Sequence, residues 1–270
     1  MSDAFLNDIH PKDDPRTVED LINAALTESE EAAWDAVCAL QWRGTHEVLE
    51  TACILCRSQC PQERCLGADI LGQLGVEKRT LPQAAIKTLI SLLDTETDIE
   101  VLEAALVAVS HHDAPQAIPT VSRYAYHPEA RIRHAAVLAL TGYEDRTAIE
   151  RIIALTQDAN AHVRDWATFG LGTQLETDTP EIRNSLADRL DDPDADTRGE
   201  AFIGLARRGD RRVVPALMRE LTSRLVGSLA VEAAEMIRAP ELHPGLVALR
   251  DWWDVDPALL DDAIITCQPV

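Results

Sequence analysis

Nine-residue segments of one pattern recur along this chain: ERCLGADIL (63–71), IRHAAVLAL (132–140), VRDWATFGL (163–171) and TRGEAFIGL (197–205). Three of the four open with Ile, Val or Thr, and Glu63 takes that place in the other; then come an arginine, a small residue three further on, an aliphatic or small one at six, and leucine at seven. Weaker copies fill the gaps: AAWDAVCAL (32–40), VLEAALVAV (101–109) and VEAAEMI from 231. With the arginine as reference, the copies fall at 33, 64, 102, 133, 164, 198 and 231, spaced 31 to 38 residues apart. A period that steady demands units stacked in a row, each burying its apolar face on its neighbours. The Gly-x-Gly of VRDWATFGLG is then one copy of a packing pattern. No strand precedes it and its spacing is not that of a dinucleotide fingerprint.

Each reference segment follows an amphipathic stretch, such as AIERIIALTQD (148–158), PEIRNSLADRLDD (180–192) or RVVPALMRELTSRL (212–225). Apolar residues there recur at three and four, the helical period. Turn signals lie between: YHPEA (126–130), DAN (158–160) and DDPDAD (191–196). Asp and Asn there cap the second helix, and Pro128 and Pro193 stop the first. The unit is helix A, tight turn, helix B. Nothing alternates with period two. Aromatics are only 4% of the chain, and Ala and Leu lead its apolar set, which suits helices packed through small side chains.

The Asp/Pro turn followed by V/I/T-R-x-x-A/G-x-x-A/G-L resembles the HEAT-repeat family in its short bacterial form. The residues that carry it run from Asp192-Pro193 to Leu205, from Asp158 to Leu171 and from Pro128 to Leu140. The resemblance implies an all-α, right-handed superhelical solenoid of about seven to eight helix pairs. Residues 17–240 form the repeats, 1–16 a flexible or capping arm, and 241–270 a degenerate capping repeat in which Trp252 and Trp253 seal the end. It also implies that B helices line the concave face. Most such proteins bind other proteins; a minority are enzymes or enzyme helpers, including phycobilin lyase subunits, deoxyhypusine hydroxylase and DNA glycosylases.

Helix geometry then selects the free residues. If reference −1, +3, +6, +7 and +10 are packed, +1, +5 and +8 lie opposite, with +2 at the flank. Positions +1, +2 and +5 yield Trp34, Asp35, Asp69, Glu103, His134, Asp165, Trp166, Phe169, Glu200 and Glu232, with Leu138 and Met236 beside them. Position +8 adds Gln41, Gly72, Ser110, Thr141, Gly172, Ala206 and Ala239. Apolar anchors among acids suit capture of a basic protein; the competing account tucks the apolar groups against neighbouring repeats. Arg64, Arg133, Arg164 and Arg198 are expected as a structural ladder pairing with turn carboxylates such as Asp158 or Asp192, in preference to an anion site.

The chain carries 46 acids against 25 bases, a formal charge of −21. That repels nucleic acid and anionic lipid and disfavours the glycosylase branch. No secretory signal and no membrane-length apolar run is present, and the six cysteines do not suggest a disulfide framework, so a cytoplasmic protein with free thiols is expected. Cys53, Cys56, Cys60 and Cys65 match no standard metal spacing. A single His-Glu dipeptide, His46-Glu47, supplies no di-iron ligand set. His111-His112 reads as an exposed turn pair. There is no P-loop and no nucleophile elbow. The expectation is a non-catalytic scaffold, monomeric and without cofactor, that binds a basic partner, in one form a bacterial immunity protein against a cationic toxin. A bilin-lyase-like protein using Cys65 and the groove aromatics, and an adaptor indifferent to charge, stand as alternatives.

Overall fold

The computed structural model of the chain describes residues 10–269. Eight helix pairs follow one another: α1 (Val18–Thr27) with α2 (Glu30–Arg43), α3 (His46–Leu55) with α4 (Pro61–Gly72), α5 (Pro82–Thr95) with α6 (Ile99–Ser110), and α7 (Ile118–Val121) with α8 (Ala130–Leu140). Then come α9 (Arg146–Leu155) with α10 (Ala161–Thr173), α11 (Pro180–Ala187) with α12 (Ala195–Arg207), α13 (Val213–Glu220) with α14 (Ser228–Ile237), and α15 (His243–Leu249) with α16 (Pro257–Thr266). Among the described residues there is no strand, and no helix is long and apolar enough to cross a membrane.

The turns form as their residues dictate. Asp98, Asn160 and Asp194 occupy the N-cap positions of α6, α10 and α12, each accepting from a backbone N–H of the first turn. Thr17 and Asp20 build a reciprocal capping box on α1. The helices group into two compact units, one ending at Ala139 and the other beginning at Leu140. In the first, α2, α4 and α6 pack in succession as a row of B helices backed by α1, α3 and α5. In the second, α10, α12, α14 and α16 form such a row, with α9, α11, α13 and α15 behind.

From α2 to α12 the +3, +6 and +7 positions of every B helix are buried. So is +4: Val37, Ala68, Leu106, Val137, Thr168 and Phe202. The +8 residues differ from expectation. Gln41, Gly72, Gly172, Ala206 and Ala239 are buried; +4 and +8, one turn apart, make a second buried stripe, and its Gly72 and Gly172 lie against Ala108 and Gly204 of the next B helix. Gln41 donates to the Asp69 carbonyl at 2.8 Å across α2 and α4. Glycines set the spacing in the second unit: a Cβ on Gly204 would stand 2.7 Å from the Gly172 Cα. Ile203, at +5, is buried as well.

The ends close by different means. Residues 1–9 of the expected arm lie outside the described residues. Within 10–16, the His10 ring stacks edge-on against Trp42 at 4.6 Å, and Arg43 donates to the carbonyls of Asp14 and Arg16. At the other end Trp253 is buried and its indole N–H donates to Val226 O at 2.8 Å, whereas Trp252 is about half exposed. Of the tryptophan pair, only Trp253 seals. The histidine pair divides likewise: His111 is exposed, but His112 is buried with Nε2 3.0 Å from Leu71 O. It sits at the +10 position of its repeat, where the packed stripe continues past the helix end, and the carbonyl gives the ring a polar partner there.

Candidate functional site

The arginine ladder ties the B helices, from which the candidate surface projects, to their turns and to the next repeat. Each reference arginine turns back over its own A–B turn. Arg64 Nη1 donates to Ser58 O and Gln59 O, Arg133 Nη1 to His127 O and Pro128 O, Arg164 Nη1 to Asp158 O and Ala159 O, and Arg198 Nη1 to Asp192 O and Pro193 O. The spacing is i−6 and i−5 in all four, which satisfies carbonyls the turn leaves open. The other edge of the guanidinium reaches the next repeat. Arg64 meets Glu96 at 2.6 and 3.1 Å, Arg164 meets Asp192 at 3.0 and 2.9 Å, and Arg198 meets Glu220 at 3.4 Å. With both edges of Arg64 and Arg164 engaged, those guanidinium groups have no fork left to offer an anion.

In the first unit Trp34 and Asp35 stand on α2, Asp69 on α4, Glu103 on α6 and His134 on α8. Trp34 is 54% exposed, an unusual place for the largest apolar side chain, and Asp35 beside it is exposed. Asp69 is half-buried, and burial pushes its carboxyl up to about 6. Glu103 is less available than its position suggests. Arg131 spans it and Glu100 at 3.1 and 2.6 Å, so part of the negative charge of this face is already neutralised. Arg131 lies at reference −2, outside the positions that helix geometry selected. His134 is half-buried. Cys65 neighbours Asp69 and three other acids, and burial with these charges pushes its thiol up to about 11. It stays protonated at neutral pH, a poor start for nucleophilic chemistry.

The second unit carries the denser group. Asp165, Trp166 and Phe169 lie on α10, Glu200 on α12 and Glu232 on α14, successive members of one row. Trp166 packs edge-to-face on Phe169, centroids 5.7 Å apart and planes at 80°, and His162 approaches Trp166 at 6.4 Å. All three rings remain at least partly exposed. The acids sense one another. Burial pushes Glu200 up to about 7, and Asp165, Glu232 and Asp196 add repulsion that the Thr173 hydroxyl only partly offsets. Asp165 is raised by burial and by Asp196 and Asp194, against the pull of His162. Asp194 and Asp196 belong to the turn and first turn of α12; the Asp-rich run 191–196 was their signal in the sequence. An aromatic pair beside carboxylates that repel one another has the chemistry to suit cations and basic side chains. Among the described residues no group of three or more His, Cys, Asp or Glu could hold a metal ion.

A family model for HEAT repeats matches residues 86–172 and 149–238. The protein YibA of Escherichia coli strain K12 is 28% identical over 232 residues, a stretch that covers 84% of this chain and 80% of YibA. The X-ray structure of the E. coli protein matches with a TM-score of 0.78 at 24% identity, covering 93% of this chain and 92% of that one. Importin beta matches with a TM-score of 0.61 at 12% identity, covering 93% of this chain and 42% of its own. At these identities the structural likeness is one of fold.

Proposed function

The chain belongs to the HEAT-repeat family, and from that premise we propose that it is a non-catalytic scaffold that captures a basic protein on the B-helix face. The observation that carries this is the α10–α12–α14 group: partly exposed Trp166 and Phe169 held edge-to-face, with Asp165, Glu200 and Glu232 around them. Apolar anchors supply affinity once water is excluded, and the surrounding acids choose the sign of the partner and speed its approach. Trp34 with Asp35 is the corresponding element of the first unit. A chain of −21 charge adds long-range steering toward a cation-rich surface. In its most specific form the scaffold is a bacterial immunity or inhibitor protein that occludes a cationic toxin.

The test is affinity capture at low salt with the full chain, beside the triple variant Asp165→Asn, Trp166→Ala, Glu200→Gln. The expected result is one basic partner, released as salt rises and lost from the triple variant. A partner that binds the triple variant equally well, or a bond that salt leaves unchanged, refutes the assignment of this face.

A further inference from the structure

On the opposite kind of helix, in the first unit, the A helices α3 and α5 enclose a cleft of about 680 Å³. We propose that this cleft binds a small hydroxylated organic phosphate, of the sugar-phosphate class. Its volume lies in the range of small-ligand sites, but its lining is polar where most such sites are apolar. The wall from α5 is a row of hydroxyls, Thr88, Ser91 and Thr95, at helical spacing on one face. Each donates to the carbonyl four residues back: Thr88 to Ala84 O at 3.0 Å, Ser91 to Lys87 O at 2.9 Å, Thr95 to Ser91 O at 3.4 Å. With their protons used, Ser91 and Thr95 offer oxygens to the cleft as acceptors, while the Thr88 oxygen takes the Cys53 thiol; the open acceptors match a ligand that donates hydroxyl protons.

The charge in the cleft runs against that of the whole chain. Arg57, just past α3, and Lys87 on α5 both line it and are exposed, and neither makes an ion pair among the described residues. The acid in the wall, Glu96, is fully engaged: Arg64 holds it, and its Oε1 also accepts the backbone N–H groups of Thr97 and Asp98. The Ser58 and Gln59 carbonyls near the end of α3, which would repel an anion, are covered by Arg64. What is left for a ligand is two cations and a bank of acceptors. Remote acids are screened over about 8 Å at physiological salt, so the local field is set by Arg57 and Lys87 with the Arg64-held Glu96 in the wall and Glu63 behind the Ser58 hydroxyl.

The experiment is calorimetric titration of the full chain with glucose 6-phosphate as the probe, and with glucose and inorganic phosphate in separate runs. Arg57→Gln and Lys87→Gln are surface changes whose folding is checked by circular dichroism. Saturable binding of glucose 6-phosphate, tighter than either fragment and weakened about tenfold or more in each variant, is the expected result. Cys53 lines the same cleft, its Sγ 3.2 Å from Thr88 Oγ1, so the ligand should also slow its alkylation as read by peptide mass spectrometry. No saturable binding at millimolar probe, binding of glucose as tight as that of its phosphate, or binding unchanged in both variants overturns the proposal.

Discussion

Replacing Asp192 by alanine should unfasten the α10–α12 junction. Its side chain is 2% exposed, and four donors converge on it: Arg164 Nε and Nη2 at 3.0 and 2.9 Å, Arg189 Nη1 at 3.2 Å and the Asp194 N–H at 3.0 Å. Removing one member of a buried pair costs about 3–5 kcal/mol, chiefly because the partner is left charged without compensation. Here Arg164 keeps the Asp158 and Ala159 carbonyls, and its side chain is 11% exposed, so the lower part of that range applies, about 3 kcal/mol. In a stack of repeats such a loss is local. Hydrogen exchange of the α10–α12 amides is therefore the assay, and about 3 kcal/mol reads as a hundredfold or greater acceleration, at roughly 1.4 kcal/mol per decade. The pH dependence supplies an independent check. Burial alone would raise the Asp192 carboxyl, but the Arg164 fork, the Asp194 N–H and the two guanidinium charges hold it below the ordinary carboxylate value. Its stabilisation is thus complete above the unfolded value and fades as pH falls through the folded one. The gap between the native protein and Asp192→Ala should narrow below about pH 4. A cost under about 1 kcal/mol at pH 7, or a gap indifferent to acid, would refute the network as a stabilising element.

Three further outcomes are expected. Gly204→Ala places a Cβ 2.7 Å from the Gly172 Cα, so α10 and α12 must move apart; a loss of about 1–3 kcal/mol in urea unfolding checks it. Glu200→Gln works through a raised carboxyl, whose favourable contribution is present below the ordinary value of about 4 and is lost as pH rises through about 7. The variant should therefore exceed the native protein in melting temperature at pH 8, by less at pH 5, and lose that advantage below about pH 4. Trp253→Ala should cost about 3–5 kcal/mol by cavity formation, while Trp252→Ala stays within about 0.5 kcal/mol, both measured by thermal or urea unfolding.

The period, the helix pairs and the buried +3, +6 and +7 positions were legible because one residue pattern serves one packing contact in every copy. Of the ladder, the pairing of Arg164 with Asp192 was legible, and the turn carbonyls that each arginine also covers were not. The lateral stripe at +4 and +8 was not. Whether Gly172 or Ala206 faces solvent depends on how closely the next B helix approaches, and that is set by glycines on two helices at once. Glu103 was read as a free acid because Arg131, 28 residues away, sits off the repeat frame. His112 and Trp252 were misjudged by adjacency: each has a twin one residue away that faces the other way, and which of the two turns inward is decided by a carbonyl 41 residues from His112 or 27 from Trp253. Of the candidate surface, residue identities at +1, +2 and +5 were readable, but the mutual repulsion of Asp165, Glu200 and Glu232 arises only once α10, α12 and α14 stand in a row.

The two-edged arginine has a consequence for how such a chain can grow. One edge of Arg164 serves its own turn, the other a carboxylate that belongs to the following repeat. The energetic module therefore does not coincide with the helix pair: it opens at an arginine and closes at an acid about thirty residues later, as Arg64 to Glu96 and Arg164 to Asp192 both do. Duplicating or deleting a segment cut at helix boundaries can join an arginine to a repeat whose acid stands elsewhere, as Glu220 stands on α13 for Arg198. Segments cut between an arginine and its carboxylate separate that pair, whereas segments that keep both carry the pair with them. The permitted unit of insertion is set by the ion pairs and is offset from the unit seen in the helices.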